Sequence, residues 1–163
     1  MTQAFVGIGS NIDRENSIRG GVARMREAFG PLLLSVVYES PAYGFEGGNF
    51  YNLIAGFETD MTPRTLTREL HAIEHDLGRA RGQPRYSSRT LDLDLLLYGD
   101  LVCHENDVDV PREDIRKFAF VLRPLAEIAG GLRHPETGET FSEMWQSFNQ
   151  PDQTLWPVDL GEL

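Results

Sequence analysis

The sequence predicts an α+β fold of the ferredoxin-like kind, a sandwich in which helices pack on a mostly antiparallel sheet. Two observations carry this prediction. Strand-like and helix-like hydrophobic patterns follow one another in the order β-α-β-β-α-β. The links between neighbouring strands are short enough for hairpins, which join antiparallel strands. A length of 163 residues fits one domain covering residues 1–163, and no repeat or linker-like stretch divides it.

The first strand and the first helix are predicted at the start of the chain. Residues 3–8 are predicted to form the strand, followed by a turn at residues 9–11. Residues 16–29 repeat apolar side chains at helical spacing, and the Gly-Pro pair after them ends the helix.

The next segment predicts two strands joined by a loop. Residues 32–39 and 50–59 are rich in apolar, aromatic and β-branched side chains, which favour strands. Residues 40–49 between them contain four glycines or prolines in ten positions of mixed polarity, which indicates a loop.

A second helix and a fourth strand complete the predicted sandwich. Thr62 followed by proline is typical of a helix start, and residues 63–77 carry an apolar face. A polar loop at residues 79–90 leads to the strand at residues 91–98. Beyond residue 110 the pattern predicts short helices, with one more in the tail.

The strongest local signal for chemistry lies in the strand RTLDLDLLLY. Because side chains alternate across a strand, Asp92 and Asp94 would share one face with Cα atoms about 6.5–7 Å apart, and the leucines at 91, 93, 95 and 97 would take the other. Two such carboxylates repel each other and resist burial, and a divalent cation removes both penalties. Mg²⁺ suits this site, with phosphate and water completing its shell. The structural alternative is an edge strand with two solvated aspartates.

An arginine-rich stretch directly precedes the aspartate pair. Residues 79–89 contain four arginines and no acidic residue, although the chain as a whole has a formal charge of −10. Guanidinium groups are suited to phosphate oxygens, so this stretch and the aspartates together predict a metal-bridged polyphosphate site. The alternative is a solvated loop whose arginines pair with surface acids. The four residues are Arg79, Arg81, Arg85 and Arg89.

Composition argues against several classes of function. A charge of −10 argues against a general nucleic-acid or anionic-membrane binder. The apolar runs are too short to span a membrane, and the start lacks the pattern of a signal peptide. With a single cysteine, Cys103, the chain has no internal disulfide and suits the cytoplasm. We expect a monomer.

One further motif predicts a different chemistry. HAIEH at residues 71–75 matches the H-x-x-E-H pattern of a group of zinc proteases, with His71 and His75 on one helical face and Glu74 between them. No downstream ligand accompanies it, so surface histidines on a helix are the alternative to a zinc hydrolase.

Four stretches together resemble one enzyme family in order and spacing. They are GIGSN, ESPAYG followed by FYNLIAGFET, GRARGQPRYSSRTLDLDLLLYG, and VPREDIRKFAFVLRPLAEIA. The family is the 6-hydroxymethyl-7,8-dihydropterin pyrophosphokinases of folate biosynthesis, and the resemblance covers residues 3–130. It implies a ferredoxin-like sandwich that transfers pyrophosphate from ATP to the pterin hydroxymethyl group and releases AMP.

The resemblance also implies roles on the nucleotide side. Asp92 and Asp94 match the pair that holds two Mg²⁺ ions on the ATP phosphates. Arg79 and Arg89 match phosphate-contacting arginines, while Arg81 and Arg85 fall in the catalytic loop that closes over the nucleotide. The remaining nucleotide-side matches are Glu74, Tyr86, Leu95 and Arg112.

The pterin side is matched by an amide, two rings and a loop. Asn52 matches the amide that recognises the pterin edge, and Phe50 and Phe120 match the rings between which the pterin stacks. Further pterin contacts fall on the loop residues Ser40, Pro41 and Tyr43. A flat heterocycle rich in hydrogen-bonding groups suits aromatic faces with an amide at the rim.

Some positions depart from the family pattern, chiefly on the nucleotide side. Tyr86 and two serines replace Trp-Gly-Pro, Arg112 replaces a histidine, and Phe118 replaces an arginine. Asp107 stands in place of a nucleotide-contacting arginine, with Asp109 close by, at a cost in binding of about 1–3 kcal/mol if the site is partly desolvated. These departures keep open a second hypothesis, a pterin-binding paralogue with altered or lost pyrophosphoryl transfer.

Overall fold

The computed structural model describes residues 1–78 and 91–163, and its main sheet has six strands. The strands are β1 (Thr2–Ser10), β2 (Leu33–Leu34), β3 (Val37–Ser40), β4 (Phe50–Thr59), β5 (Asp92–Tyr98) and β8 (Trp156–Val158). A separate hairpin consists of β6 (Cys103–His104) and β7 (Asp109–Val110). The helices are α1 (Arg14–Phe29), α2 (Pro63–Asp76), α3 (Asp114–Lys117), α4 (Ala119–Ala129) and α5 (Phe141–Ser147).

The strand order confirms the predicted fold. The sheet runs β5-β1-β4-β3-β8, with β2 also paired to β4, and every described pairing is antiparallel. Strands β1 to β5 with α1 and α2 give the β-α-β-β-α-β arrangement expected from the sequence, with β2 and β3 together in the place of the one strand predicted at residues 32–39. The nine-residue pairing of β1 with β4 forms the centre of the sheet.

Alternation along the strands creates a hydrophobic core on each face of the sheet. In β1, Ala4, Val6 and Ile8 point into the first core together with α1 and α2. Phe5 points the other way, into a second core formed with α3, α4 and α5. Both faces are therefore covered, and the second face is where the helices that follow residue 113 pack.

α2 begins where the sequence predicts, whereas α1 begins two residues earlier than predicted, at Arg14. The Thr62 side chain accepts a hydrogen bond from the Thr65 backbone, with proline at the next position. The short α5 begins with a capping box in which Thr140 and Glu143 satisfy each other's backbone N–H groups.

The predicted strand at residues 32–39 is two strands, because Ser35 interrupts the ladder. The Ser35 N–H donates to the Ile54 carbonyl, and its hydroxyl accepts from the Ile54 N–H, both at 2.9 Å. The next N–H, of Val36, donates to the Glu127 carboxylate of α4 instead of to β4. Polar side chains thus replace two ladder hydrogen bonds and separate β2 from β3.

The predicted turn at residues 9–11 is wrong, because β1 continues in regular pairing to Ser10 opposite Tyr51. The predicted alternation of leucines in β5 also fails at one end. The register between β1 and β5 shifts between Phe5 and Val6, so Leu97 joins Leu96 in the second core.

The tail contains a strand that the sequence analysis did not predict. Trp156–Val158 pairs with β3 and extends the sheet at that edge. The following residues reach α1, where the Arg19 guanidinium donates to the Glu162 and Leu160 carbonyls. No helix in the described parts of the chain is both long and apolar enough to span a membrane.

We predict that Gly56→Ala destabilises the protein by about 1–3 kcal/mol, because overpacking a core has this cost. Gly56 lies opposite Phe5 in the sheet, and a Cβ there would stand 2.8 Å from the buried Phe5 ring. Gly131→Ala is the matched control, since its Cβ would meet nothing within 4 Å. Denaturant titration measures both free energies of unfolding, and equal values would contradict the packing argument.

Candidate active site

A cavity of about 350 Å³ opens on the second face of the sheet, beside the core formed with α4. Its floor is the end of β1, where Gly7 and Gly9 stand at the positions that face the cavity. Phe5, two residues earlier on the same face, is buried in the second core. The change from Phe to Gly along one face of β1 therefore marks the boundary between packed core and open cavity.

The strand register brings polar side chains of three strands into one row. Gly9 pairs with Asn52 of β4 on one side and with Asp92 of β5 on the other. Directly paired residues share a face, so the amide and the carboxylate both line the cavity with the glycine between them. Asp94 lies in the next row, opposite Gly7.

The Asn52 side chain is held in place by its neighbours. Its Nδ2 donates to the Ser40 hydroxyl at 2.9 Å, and both residues are buried. A Cβ at Gly9 would lie 3.1 Å from the Asn52 Oδ1 atom, so the absence of a side chain there leaves room for the amide. The result is a rigid amide whose polar edge borders the cavity.

Aromatic rings form the walls of the cavity on both sides of the row. Phe118 and Phe120 stack with centroids 4.9 Å apart, and Tyr43 meets Phe118 edge-on at 5.0 Å. Across the cavity, Phe45 contacts Phe50 edge-on at 6.1 Å. Ring faces and edges of this kind favour a flat aromatic ligand.

The aspartate pair carries an electrostatic penalty that a cation would remove. Burial and the neighbouring Asp92 carboxylate raise the pKa of Asp94 to about 7, although Arg112 opposes this. Two carboxylates facing a cavity are the ligands that Mg²⁺ prefers, with other oxygens completing its shell. Within the described residues no third His, Cys, Asp or Glu joins them as a metal cluster.

Arg112 supplies positive charge on the same side of the cavity. Burial disfavours its charged form, but Asp94 and Asp114 outweigh burial and raise the pKa of the guanidinium. Its Nη2 lies 3.6 Å from an oxygen of Asp114, while its Nε is buried and has no hydrogen-bond partner among the described residues. A buried N–H donor of a cation beside this cavity is suited to an anionic ligand.

The structure brings most of the sequence-predicted site residues together. Those that line the cavity are Ser40, Pro41, Tyr43, Phe50, Asn52, Asp92, Asp94, Arg112 and Phe120. Glu74 does not line it, and its carboxylate accepts from the Leu93 N–H at 2.7 Å. Leu95 is buried in the first core. Arg79, Arg81, Arg85, Tyr86 and Arg89 lie outside the described residues, so their roles stay predictions.

The departures from the family pattern have local explanations. Asp107 forms an ion pair with Arg64 of α2, which lowers the pKa of that carboxyl, and it does not line the cavity. Across the β6–β7 hairpin, an Asp109 carboxylate oxygen lies 2.6 Å from the Nδ1 atom of His104. Phe118 is itself part of the aromatic wall of the cavity, stacked on Phe120. Neither Asp107 nor Asp109 lines the cavity.

Several cavity residues were absent from the predicted set, among them Phe45, Asp114 and His71. Phe45 falls in the Gly-rich loop, where spacing indicates no periodic structure. Asp114 begins a four-residue helix too short to show a pattern. His71 lines the cavity, whereas Glu74 of the same H-x-x-E-H motif is buried and its carboxylate accepts from the Leu93 N–H of β5. This arrangement does not support the zinc hydrolase hypothesis.

We predict that Asp94→Asn stabilises the protein in EDTA-containing buffer, and more so at about pH 8 than at about pH 5. Since the pKa is raised from 3.8 to about 7, the folded state holds a proton that the unfolded chain has lost between these values. Stability therefore falls as pH rises through that window. The variant has no such loss, so its melting temperature should exceed the wild type by roughly 2–8 °C at the higher pH.

Asp60→Asn is the control for this measurement, because Asp60 is exposed on the surface. Its melting temperature should follow that of the wild type at both pH values. A pH-independent difference for Asp94→Asn would contradict the assigned pKa.

Comparison with known proteins gives one consistent family. The family model described as 7,8-dihydro-6-hydroxymethylpterin-pyrophosphokinase (HPPK) matches residues 5–130. The 2-amino-4-hydroxy-6-hydroxymethyldihydropteridine pyrophosphokinase of Aquifex aeolicus is 32% identical over 159 residues, covering 96% of each chain. The enzyme of the same name from Synechocystis is 33% identical over 97% of this chain and 81% of its own.

Solved structures share the fold at low identity. An HPPK-DHPS crystal structure in complex with substrates superposes with a TM-score of 0.69 at 12% identity. The match covers 90% of this chain and 43% of that longer chain. With the family match over most of its length and relatives above 30% identity, this chain belongs to the 7,8-dihydro-6-hydroxymethylpterin-pyrophosphokinase family.

Proposed function

We propose that this protein transfers the pyrophosphoryl group of ATP to the hydroxymethyl oxygen of 6-hydroxymethyl-7,8-dihydropterin, releasing AMP, in folate biosynthesis. Membership of the family supports the reaction. The cavity supports the proposal from this chain's own residues. One half of it is lined by aromatic rings and an amide, and the adjoining half by two carboxylates and an arginine. The first half suits a pterin, and the second suits a metal-bound polyphosphate.

The pterin half recognises its ligand by shape and hydrogen bonds. The Asn52 amide, fixed by Ser40, would bond the polar edge of the heterocycle. Phe50 and Phe120 would cover its two faces, and Pro41 and Tyr43 would close the loop side. Held in this way, the hydroxymethyl group is directed towards the carboxylate half of the cavity, which is the main contribution the protein makes by positioning.

The phosphate half neutralises charge. Asp92 and Asp94 would hold Mg²⁺, two ions by analogy with the family, and bound metal would offset the negative charge of the phosphate oxygens. Arg112 faces the same space with a donor free of described partners. We propose that Arg79, Arg81, Arg85 and Arg89 add further positive charge, with Glu74, Tyr86 and Leu95 on the nucleotide side.

The reaction needs no nucleophilic side chain. The hydroxymethyl oxygen would attack the β-phosphorus in line and release its proton to solvent as the new O–P bond forms. The bond from that phosphorus to the bridging oxygen of AMP would break, and AMP would leave with the electron pair. Catalysis is then alignment and charge stabilisation. We propose that the enzyme acts on its small-molecule substrates as a monomer, in the cytoplasm and as a single domain.

We predict that the purified protein releases AMP only when ATP, Mg²⁺ and the pterin are all present, and that Asp92→Ala and Asp94→Ala each lower kcat/KM at least 100-fold. Each change removes a carboxylate ligand for the metal. Asp60→Ala removes an exposed carboxylate and is the control. A coupled AMP assay measures all four proteins. Wild-type turnover without Mg²⁺, or unchanged activity in both variants, would contradict the metal assignment.

We predict that Gly9→Ala raises the KM for the pterin about tenfold or more, whereas Gly7→Ala has a smaller effect. A Cβ at Gly9 would press on the Asn52 Oδ1 atom at 3.1 Å, which displaces the amide from its recognition position. A Cβ at Gly7 would meet the Leu96 side chain at an ordinary 3.5 Å. Steady-state kinetics with the pterin varied at saturating ATP measures both, and the reverse order would exclude the proposed role of Asn52.

A further inference from the structure

A cluster of polar side chains outside the cavity holds both ends of the loop 40–49. Four residues of this loop line the cavity, and after Ser40, where β3 ends, no helix or strand forms within it. Glu39 is the residue before the loop, and Asn49 is its last residue. Both meet Arg14, the first residue of α1, which approaches from a different part of the chain.

The geometry of this cluster joins the two ends of the loop through one guanidinium. Arg14 Nη1 donates to the Glu39 carboxylate at 2.9 Å and to the Asn49 carbonyl at 3.1 Å. The Asn49 amide donates to the same Glu39 oxygen at 3.2 Å, which closes a triangle of hydrogen bonds. The guanidinium also lies over the Tyr51 ring, 3.9 Å from its centroid.

The cluster is better sheltered from solvent than an ordinary surface ion pair. The side chains of Arg14 and Glu39 are 33% and 17% exposed, whereas those of Arg24 and Asp76, which join α1 to α2, are 39% and 50% exposed. Arg14, with help from the Asn49 amide, lowers the pKa of Glu39, so the carboxylate is charged at neutral pH. On its other edge Glu39 pairs with Trp156 of β8, which fixes its backbone.

We propose that the triangle of Arg14, Glu39 and Asn49 is a positioning device for the pterin-binding loop. The three side chains line a separate shallow depression and none of them lines the cavity, so they act through the loop rather than on the substrate. The triangle fixes the span between Ser40 and Phe50, and the loop between them presents its cavity-lining rings. This inference rests on the proposed function for its kinetic consequence.

The kinetic test uses Glu39→Gln and Arg14→Gln, with Arg24→Gln as the matched control in the same helix. If the triangle keeps the loop in its binding conformation, losing it lowers the fraction of molecules that can bind the pterin. The apparent KM for the pterin should then rise about tenfold, while the KM for ATP and kcat change less than twofold. Arg14→Lys keeps the charge and should recover part of the loss. Equal changes in both KM values, or an effect as large in Arg24→Gln, would overturn the proposal.

A second measurement does not depend on turnover. Chymotrypsin cleaves after aromatic residues, and the loop carries Tyr43 and Phe45, so mass spectrometry of a brief digest gives the cleavage rate within the loop. We expect Glu39→Gln and Arg14→Gln to raise that rate at least fivefold while Arg24→Gln does not. Equal loop cleavage in all proteins would refute positioning even if the enzyme is active. If the wild-type protein shows no turnover but the two triangle variants are still cleaved faster than the wild type, the proposed function is refuted and the positioning role is not.

Discussion

The arrangement of side chains on one face of β1 is the constraint on which the site depends. Phe5, Gly7 and Gly9 follow one another on that face, and the two glycines lie between the strands that carry Asn52 and the aspartates. Any side chain at these positions would fill the floor of the cavity, since the second core already packs around Phe5. The amide and the carboxylates can share one cavity because the central strand leaves the space between them empty.

The second determinant is charge distribution. The chain has an excess of acidic residues, and those near the site have two different environments. Asp107 and Asp109 are paired with Arg64 and His104, outside the cavity. Asp92 and Asp94 face inward together, at a cost visible in the raised pKa of Asp94. The fold thus pairs the acids that would repel a polyphosphate with basic partners. It leaves the electrostatic repulsion between Asp92 and Asp94 in place, at the pair that would bind the metal ion.

The sequence was informative where a residue pattern is short and local. The alternation of Asp92 and Asp94 in β5, and the proline start of α2, follow from period and capping chemistry and are present in the structure. It was misleading where tertiary contacts decide. Ser35 divides a predicted strand because its hydroxyl finds the Ile54 backbone, and Leu97 changes face because of a register shift across β1. Asp114 and Phe45 reach the cavity through packing of segments without periodic pattern, which no local rule could anticipate.

The short strand β8 has a consequence for association between molecules. A strand at the edge of a sheet offers unpaired N–H and C=O groups to any extended segment that approaches it. β3 carries Glu39 and leads directly into the loop 40–49 that lines the cavity, so a foreign strand added there would compete with the geometry of that loop. With Trp156–Val158 occupying that edge, the main chain of β3 is paired on both sides. The tail thereby occupies an edge of β3, next to the cavity-lining loop, that would otherwise be open to strand addition.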